Sequence, residues 1–223
     1  MRVVLLGPPG SGKGTQAEKL GNRLNLFHIS TGDIIREAVN KRTSVGEQIK
    51  DFLNRGELVP DSVVLKLLMG IIKKNEEFIL DGFPRNLQQA KQLDAVLGEE
   101  NKELDLVINL KIDEGAILHR LNGRLTCSQC GKVYHIDNLP SGKRCELCGA
   151  SLYQRKDDNI DIIKRRINVY KESIFPLIEY YRKKGILHYI QGEMSPEKVF
   201  RGIMTLIEKR KNEVMEETWL RKN

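Results

Sequence analysis

The chain has 223 residues, 40% of them hydrophobic, which suits one compact α/β domain with an insertion or at most two small domains and excludes a disordered or collagen-like polymer. No apolar run approaches the ~20 residues of a bilayer-crossing helix; the longest, Val63 to Ile72, is broken by Lys66 and Gly70. The 37 basic and 30 acidic side chains leave a charge of +7, which favours anionic partners without choosing between nucleic acid, phosphorylated metabolites and plain solubility.

The start, Met1-Arg2-Val3-Val4-Leu5-Leu6, is too short for a signal sequence and runs into a glycine-rich loop, so the expected setting is the cytoplasm. Arg2 to Leu6 reads as a buried strand, followed by a helix from about Lys13 with Ala17, Leu20 and Leu24 on one face. Leu26 to Ile29 reads as a second strand. Val45, Ile49, Phe52 and Leu53 mark one helical stripe. Pro60-Asp61 starts another helix, with Asp61 expected as its N-cap. Phe78 to Leu80, Leu104 to Ile112 and Ile186 to Ile190 supply further strands, and a last helix opens at Ser195-Pro196 with Val199, Ile203, Leu206 and Ile207 facing inward. This alternation predicts βαβ units around a parallel sheet. The segment 121–158 breaks it with cysteines, glycines and short polar turns, and is expected to be a small inserted domain. For the tail from Lys211 to Asn223 the sequence suggests no role.

Gly7-Pro8-Pro9-Gly10-Ser11-Gly12-Lys13-Gly14-Thr15 lies between the first strand and the first helix, the context of a P-loop. The glycines let backbone N–H groups turn around an anion, the helix N-terminus adds its positive end, and Lys13 adds a point charge near the outer phosphates. The residue after Lys13 is Gly14, not the Ser or Thr that usually touches Mg²⁺, so contact with that ion is expected through water.

Cys127-x-x-Cys130 and Cys145-x-x-Cys148 stand fourteen residues apart, each pair followed by a glycine. Four thiolates so spaced point to a closed, tetrahedral, structural zinc site. Reduced thiols without metal, or two disulfides, are the alternatives.

The P-loop closely resembles that of adenylate kinases, and the resemblance continues through Ser30-Thr31-Gly32-Asp33, Leu58-Val59-Pro60-Asp61, Asp81-Gly82-Phe83-Pro84-Arg85, Arg155-Lys156-Asp157-Asp158 and the pair Arg165-Arg166. It is to the form with a long, zinc-binding lid. It implies a three-layer α/β/α P-loop fold with a central parallel sheet, divided into core (1–29, 60–120 and 159–223), an AMP-binding segment (30–59) and a mobile lid (121–158). It also implies ATP, AMP and ADP as small-molecule partners, Mg²⁺ accompanying ATP, a monomer, and neither nucleic acid nor membrane as partner.

Role by role, the resemblance implies that Gly10, Ser11, Gly12, Lys13, Gly14 and Thr15 hold ATP together with Arg120, Arg124, Val133, Tyr134 and Met194. Thr31, Arg36, Glu57, Leu58, Val59, Gly82, Phe83, Arg85 and Gln89 would bind AMP, with Arg155 and Arg166 closing over it. Lys13, Arg85, Arg120, Arg124, Arg155 and Arg166 would act on the transferring group, and Asp81 would support Mg²⁺, through water. Guanidinium groups suit this work because each donates two parallel hydrogen bonds to a phosphate. Thr31 and Gln89 would read adenine, which distinguishes the chain from UMP/CMP and GMP kinases. A zinc-ribbon ATPase acting on nucleic acid is the competing class, opposed by an insert whose aromatics are only Tyr134 and Tyr153.

Overall fold

The computed structural model describes residues 1–139 and 144–222, with side chains as far as residue 216. In chain order the elements are β1 (Arg2–Leu6), α1 (Lys13–Leu24), β2 (Phe27–Ser30), α2 (Thr31–Asn40), α3 (Ser44–Arg55), α4 (Asp61–Lys74), β3 (Phe78–Asp81), α5 (Leu87–Glu99), β4 (Leu106–Lys111), α6 (Glu114–Asn122), β5 (Arg124–Cys127), β6 (Val133–His135), β7 (Leu152–Tyr153), α7 (Ile160–Lys183), β8 (Leu187–Gln191) and α8 (Pro196–Lys222). Five strands pair in parallel in the order β2-β3-β1-β4-β8. Buried on both faces, β1, β3 and β4 read as nearly continuous apolar runs, with Asn109 the polar exception within β4, instead of alternating ones.

Two apolar layers sandwich this sheet. Val4, Leu6, Leu80 and Val107 meet Leu68, Phe83, Leu93, Leu177 and Tyr181 on one side. Val3, Leu5, Ile79 and Ile108 meet Ala17, Leu20, Val199, Ile203 and Ile207 on the other. The expected α/β/α arrangement is therefore present, and the tail without an assigned role continues α8, its side chains past residue 216 lying outside the described residues.

Three short antiparallel strands, β6-β5-β7, form a separate sheet within the insert. Its small core is Cys127, Tyr134 and Cys145, flanked by Leu125, Leu139, Ala150 and Leu152. Among the described residues no helix is long and apolar enough to cross a membrane.

Two local readings change. Asp61 is not the cap of α4: Pro60 occupies that position, no side chain caps it, and Asp61 is the first helical residue. Its carboxylate instead accepts from Asn86 and Gln89. The helix α7, 24 residues long, carries a repeat that the sequence reading did not use, Ile163, Ile167, Tyr170, Ile174, Leu177 and Tyr181. Ile163 and Ile167 pack on Ile117 and Leu121 of α6, while Leu177 and Tyr181 enter the main core. One helix thus ties the base of the insert to the far side of the sheet.

The hairpin of α2 and α3 is fixed by one small residue. A Cβ on Gly46 would stand 2.0 Å from the carbonyl oxygen of Ala38, a backbone atom that cannot swing aside. Gly46→Ala should therefore push the two helices apart and lower stability by about 1–3 kcal/mol, read as a fall in the urea midpoint with little change in slope.

Candidate active site

The loop from Gly7 to Gly12 connects the end of β1 to α1. Gly12 caps the helix at φ +94°, a left-handed conformation that side chains avoid, and no side chain caps the helix there. The first N–H groups of α1 are thereby left for an anion. Gly7 is equally constrained, because a Cβ would come within 2.8 Å of the Leu110 carbonyl oxygen at the end of β4. The Lys13 ammonium folds back over the loop, donating to the carbonyls of Gly7 (2.8 Å) and Pro8 (2.9 Å) and to Ser11 Oγ (3.3 Å).

Burial pushes the Lys13 ammonium down to about 8, opposed by Asp81 and reinforced by Arg85, Arg166 and Arg124. Asp81 ends β3 beside β1, where the register places it opposite Leu5. A Cβ added at Gly14 would lie 3.2 Å from Asp81 Oδ2, so a bulkier side chain there would crowd the carboxylate. That proximity gives a physical reason for glycine at this position. His28 Nε2 stands 3.9 Å from the same oxygen, a neighbour that the sequence reading did not anticipate.

Around this loop the fold gathers arginines from four elements and two connecting segments. Arg36 comes from α2, Arg85 from the turn after β3, Arg120 from α6, Arg124 from β5, Arg155 from the turn after β7, and Arg166 from α7. All six line one large cleft with Lys13, Asp81, Val133 and Met194. Burial lowers the guanidinium pKa of Arg85 and Arg120, and brings Arg155 and Arg166 down to about 10.

Four carboxylates steady the cluster. Asp158, wholly buried, takes a two-pronged contact from Arg124, with Nε at 2.7 Å. Asp157 accepts from Arg166 at 3.1 Å and lies 3.9 Å from Arg36. Burial would raise the Asp157 carboxyl, but Arg166 and Arg36 outweigh it and hold it below the usual range. Asp33 accepts from Arg36 at 2.5 Å and lies 3.9 Å from Arg155; there too burial is overcome by the guanidinium beside it. Asp81 completes the set by its attraction for Lys13 and Arg85.

A second, smaller cavity opens beside the first. Thr31, Ile35, Leu53, Glu57, Leu58, Val59 and Gln89 line it, and it shares Arg36, Gly82, Arg85 and Arg166 with the large cleft. Val59 and Phe83 are buried in the main core. Thr31 Oγ1 is buried with no hydrogen-bond partner among the described residues. Gln89 is nearly fully buried; its Oε1 accepts from the Arg85 amide and its Nε2 donates to Asp61, both at 2.7 Å. An amide group offers two donors and two acceptor sites, so one of each is left for a ligand. Asn86 completes this frame, capping α5 through the Gln89 amide while donating to Asp61. Asp61 is thus a supporting residue that the sequence reading mistook for a cap.

In the insert, Cys127 Sγ lies 3.4 Å from Cys148 Sγ, and Cys130 Sγ lies 3.5 Å from Cys145 Sγ. All four sulfurs fall within 4.8 Å of one another. These separations exceed the ~2.05 Å of a disulfide, and all four cysteines are free, so the disulfide alternative is set aside. They approach the ~3.8 Å sulfur–sulfur edges of a tetrahedron with Zn–S bonds of about 2.3 Å. Tyr134 lines the large cleft together with Val133. Its ring is buried in the insert's core, and its hydroxyl contacts Cys145 Sγ at 3.3 Å and accepts from the Glu146 amide. Strand alternation leaves Val133 as the exposed side chain of the pair.

A family profile described as adenylate kinase matches residues 5–186. The adenylate kinase of Archaeoglobus fulgidus is 45% identical over 95% of this chain and its own full length. Those of Thermodesulfovibrio yellowstonii and Thermosipho africanus are 45% and 42% identical, covering 94% and 93% of this chain and 100% and 99% of their own lengths.

The depressed Lys13 has a measurable consequence. Below pH 8 its ammonium is charged; as pH rises through about 8 the free site loses that proton, and an arriving polyphosphate must draw one from solvent. Calorimetry of inorganic triphosphate binding at pH 8 in two buffers of different ionisation enthalpy should show uptake of about half a proton. Lys13→Met should abolish the uptake and weaken binding.

Proposed function

The chain belongs to the adenylate kinase family, and from that premise we propose how its residues carry the reversible transfer of a phosphoryl group from ATP to AMP, giving two ADP. The observation that carries the assignment is the shared wall of the two cavities at Arg36, Gly82, Arg85 and Arg166. Two polyanions entering from opposite sides would meet there end to end.

The donor is ATP, its phosphates wrapped by Gly10 to Thr15 and its outer charge met by Lys13, Arg120 and Arg124, with Val133 and Met194 lining the same cleft. The acceptor is AMP, its phosphate held by Arg36 and Arg85, its base against Leu58 and Val59, and its adenine edge read by Thr31 and Gln89. An oxygen of the AMP phosphate attacks the γ-phosphorus, the bond to the β-phosphate oxygen breaks, and that oxygen leaves as the terminus of ADP. Arg155 and Arg166, from the insert and its supporting helix, close on the transferring group. Because the two nucleotides are already charged and nucleophilic, the protein's task is alignment, charge neutralisation and exclusion of water. The insert supplies the last by closing, motion of the kind that adenylate kinases exemplify.

Mg²⁺ bound with ATP would neutralise developing charge, and Asp81 is the carboxylate suited to support it through water. The four cysteines suit structural zinc: every coordination position is filled by sulfur, and the insert has little apolar core of its own. We assign the core to 1–29, 60–120 and 159–223, the acceptor segment to 30–59 and the lid to 121–158, in a monomer working in the cytoplasm.

A coupled assay with ATP and each of AMP, UMP, CMP and GMP should show strong preference for AMP, which Gln89→Ala weakens; equal turnover of UMP would overturn the acceptor assignment. Lys13→Ala should lower kcat about 10²–10³-fold, the scale for losing one preorganised charge donor. Arg85→Ala should raise KM for AMP more than KM for ATP. Elemental analysis should find one zinc per chain, and the double variant Cys145→Ala, Cys148→Ala should melt its lid earlier on heating while the core still binds ATP.

A further inference from the structure

Beside Arg120 and Val133 in the large cleft stands one cluster of ligand-bearing side chains to which the proposed reaction gives no role. His119 lies near the end of α6, His135 ends β6, and Asp137 follows in a short 3-10 turn. Their ligand atoms all lie within 4.8 Å of one another. His119 Nε2 is 3.3 Å, and His135 Nδ1 3.2 Å, from the same oxygen, Asp137 Oδ2. We propose that His119, His135 and Asp137 form a second metal site, for one divalent ion of the zinc class, joining helix α6 to the lid strand beside the donor cleft.

Three features carry this assignment. The separations suit a shared ion, since bonds of about 2.1 Å in tetrahedral geometry give ligand edges near 3.4 Å. The second is the arrangement of His135: its Nε2 lies 3.3 Å from the His119 carbonyl oxygen. A proton donated there leaves Nδ1 as the lone-pair nitrogen facing Asp137, the outer-shell arrangement by which metal-bound imidazoles are oriented. The ring is also held in place from behind, for a Cβ on Gly123 would come 2.3 Å from Nε2. The third is the stacking of the two imidazoles, with centroids 5.0 Å apart.

The Asp137 amide also donates to His135 Nδ1, at 3.3 Å, a hydrogen bond that a metal bond at that nitrogen would replace. Three protein ligands leave one coordination position open to water, unlike the closed cysteine site. All three residues line the same cleft as Val133 and Arg120, so the bound ion would sit where the lid meets the donor.

The test is calorimetric titration of Zn²⁺ into the full chain, first loaded with a single equivalent of zinc so that the cysteine site is filled. The intact protein should take up one further equivalent. His119→Ala and Asp137→Asn should each weaken that uptake by at least about tenfold, while Cys145→Ala should leave it in place, which separates this site from the cysteine one. Absence of a further equivalent, or an equivalent that survives both His119→Ala and Asp137→Asn with unchanged affinity, would overturn the proposal.

Discussion

Arg36, Arg85, Arg124, Arg155 and Arg166 repel one another across the cleft, and burial, reinforced by that repulsion, lowers Arg155 and Arg166 to about 10. The fold tolerates the crowding because Asp33, Asp81, Asp157 and Asp158 are interleaved with the guanidinium groups. The resulting balance is deliberately incomplete on the cationic side, and incoming phosphates supply the missing negative charge. Removing one carboxylate would then cost more than removing one arginine, because it leaves buried like charges facing each other.

That electrostatic arrangement also explains the architecture around it. No single element could present so many long cationic side chains to one point. The arginines arrive from the α2–α3 hairpin, the turn after β3, the insert and α7, and two of them are tethered at Nε. Arg155 Nε donates to Thr126 Oγ1 across the insert sheet, and Arg85 Nε to the Gly82 carbonyl. Holding the geometry therefore means holding these elements against one another, which is the part played by α7 and by the closely packed Gly46.

Much of this was legible in the sequence where the relevant residues are contiguous. The phosphate loop, the run from Asp81 to Arg85 and the paired cysteines each carry their chemistry within a few positions. Partnerships formed across the fold were not. Asp61 reads as a helix cap because it follows proline at a helix start, and only its contacts with Asn86 and Gln89, 25 and 28 residues on, show what it supports. Tyr134 sits in the strand expected to face ATP and lines the cleft, but the contact of its hydroxyl with Cys145, eleven residues on, could not be read from the sequence. The repeat in α7 was present in the sequence, diluted by charged residues on its two outer faces and by Pro176.

The close approach of Gly7 to Leu110 bears on how the chain assembles during synthesis. The phosphate loop leaves the ribosome ahead of the strands it rests on, yet its floor is built from the far end of β4, and Gly192 closes against the Ser11 carbonyl from beyond β8. The central strand β1 likewise finds its neighbours at β3 and β4, each separated from it by intervening helices. The earliest-made part of the active site is thus among the last to take shape. A nascent chain stalled before β8 would carry the whole phosphate-loop sequence while lacking the surface that gives it form, and such long-range closure sets a slow pace for folding.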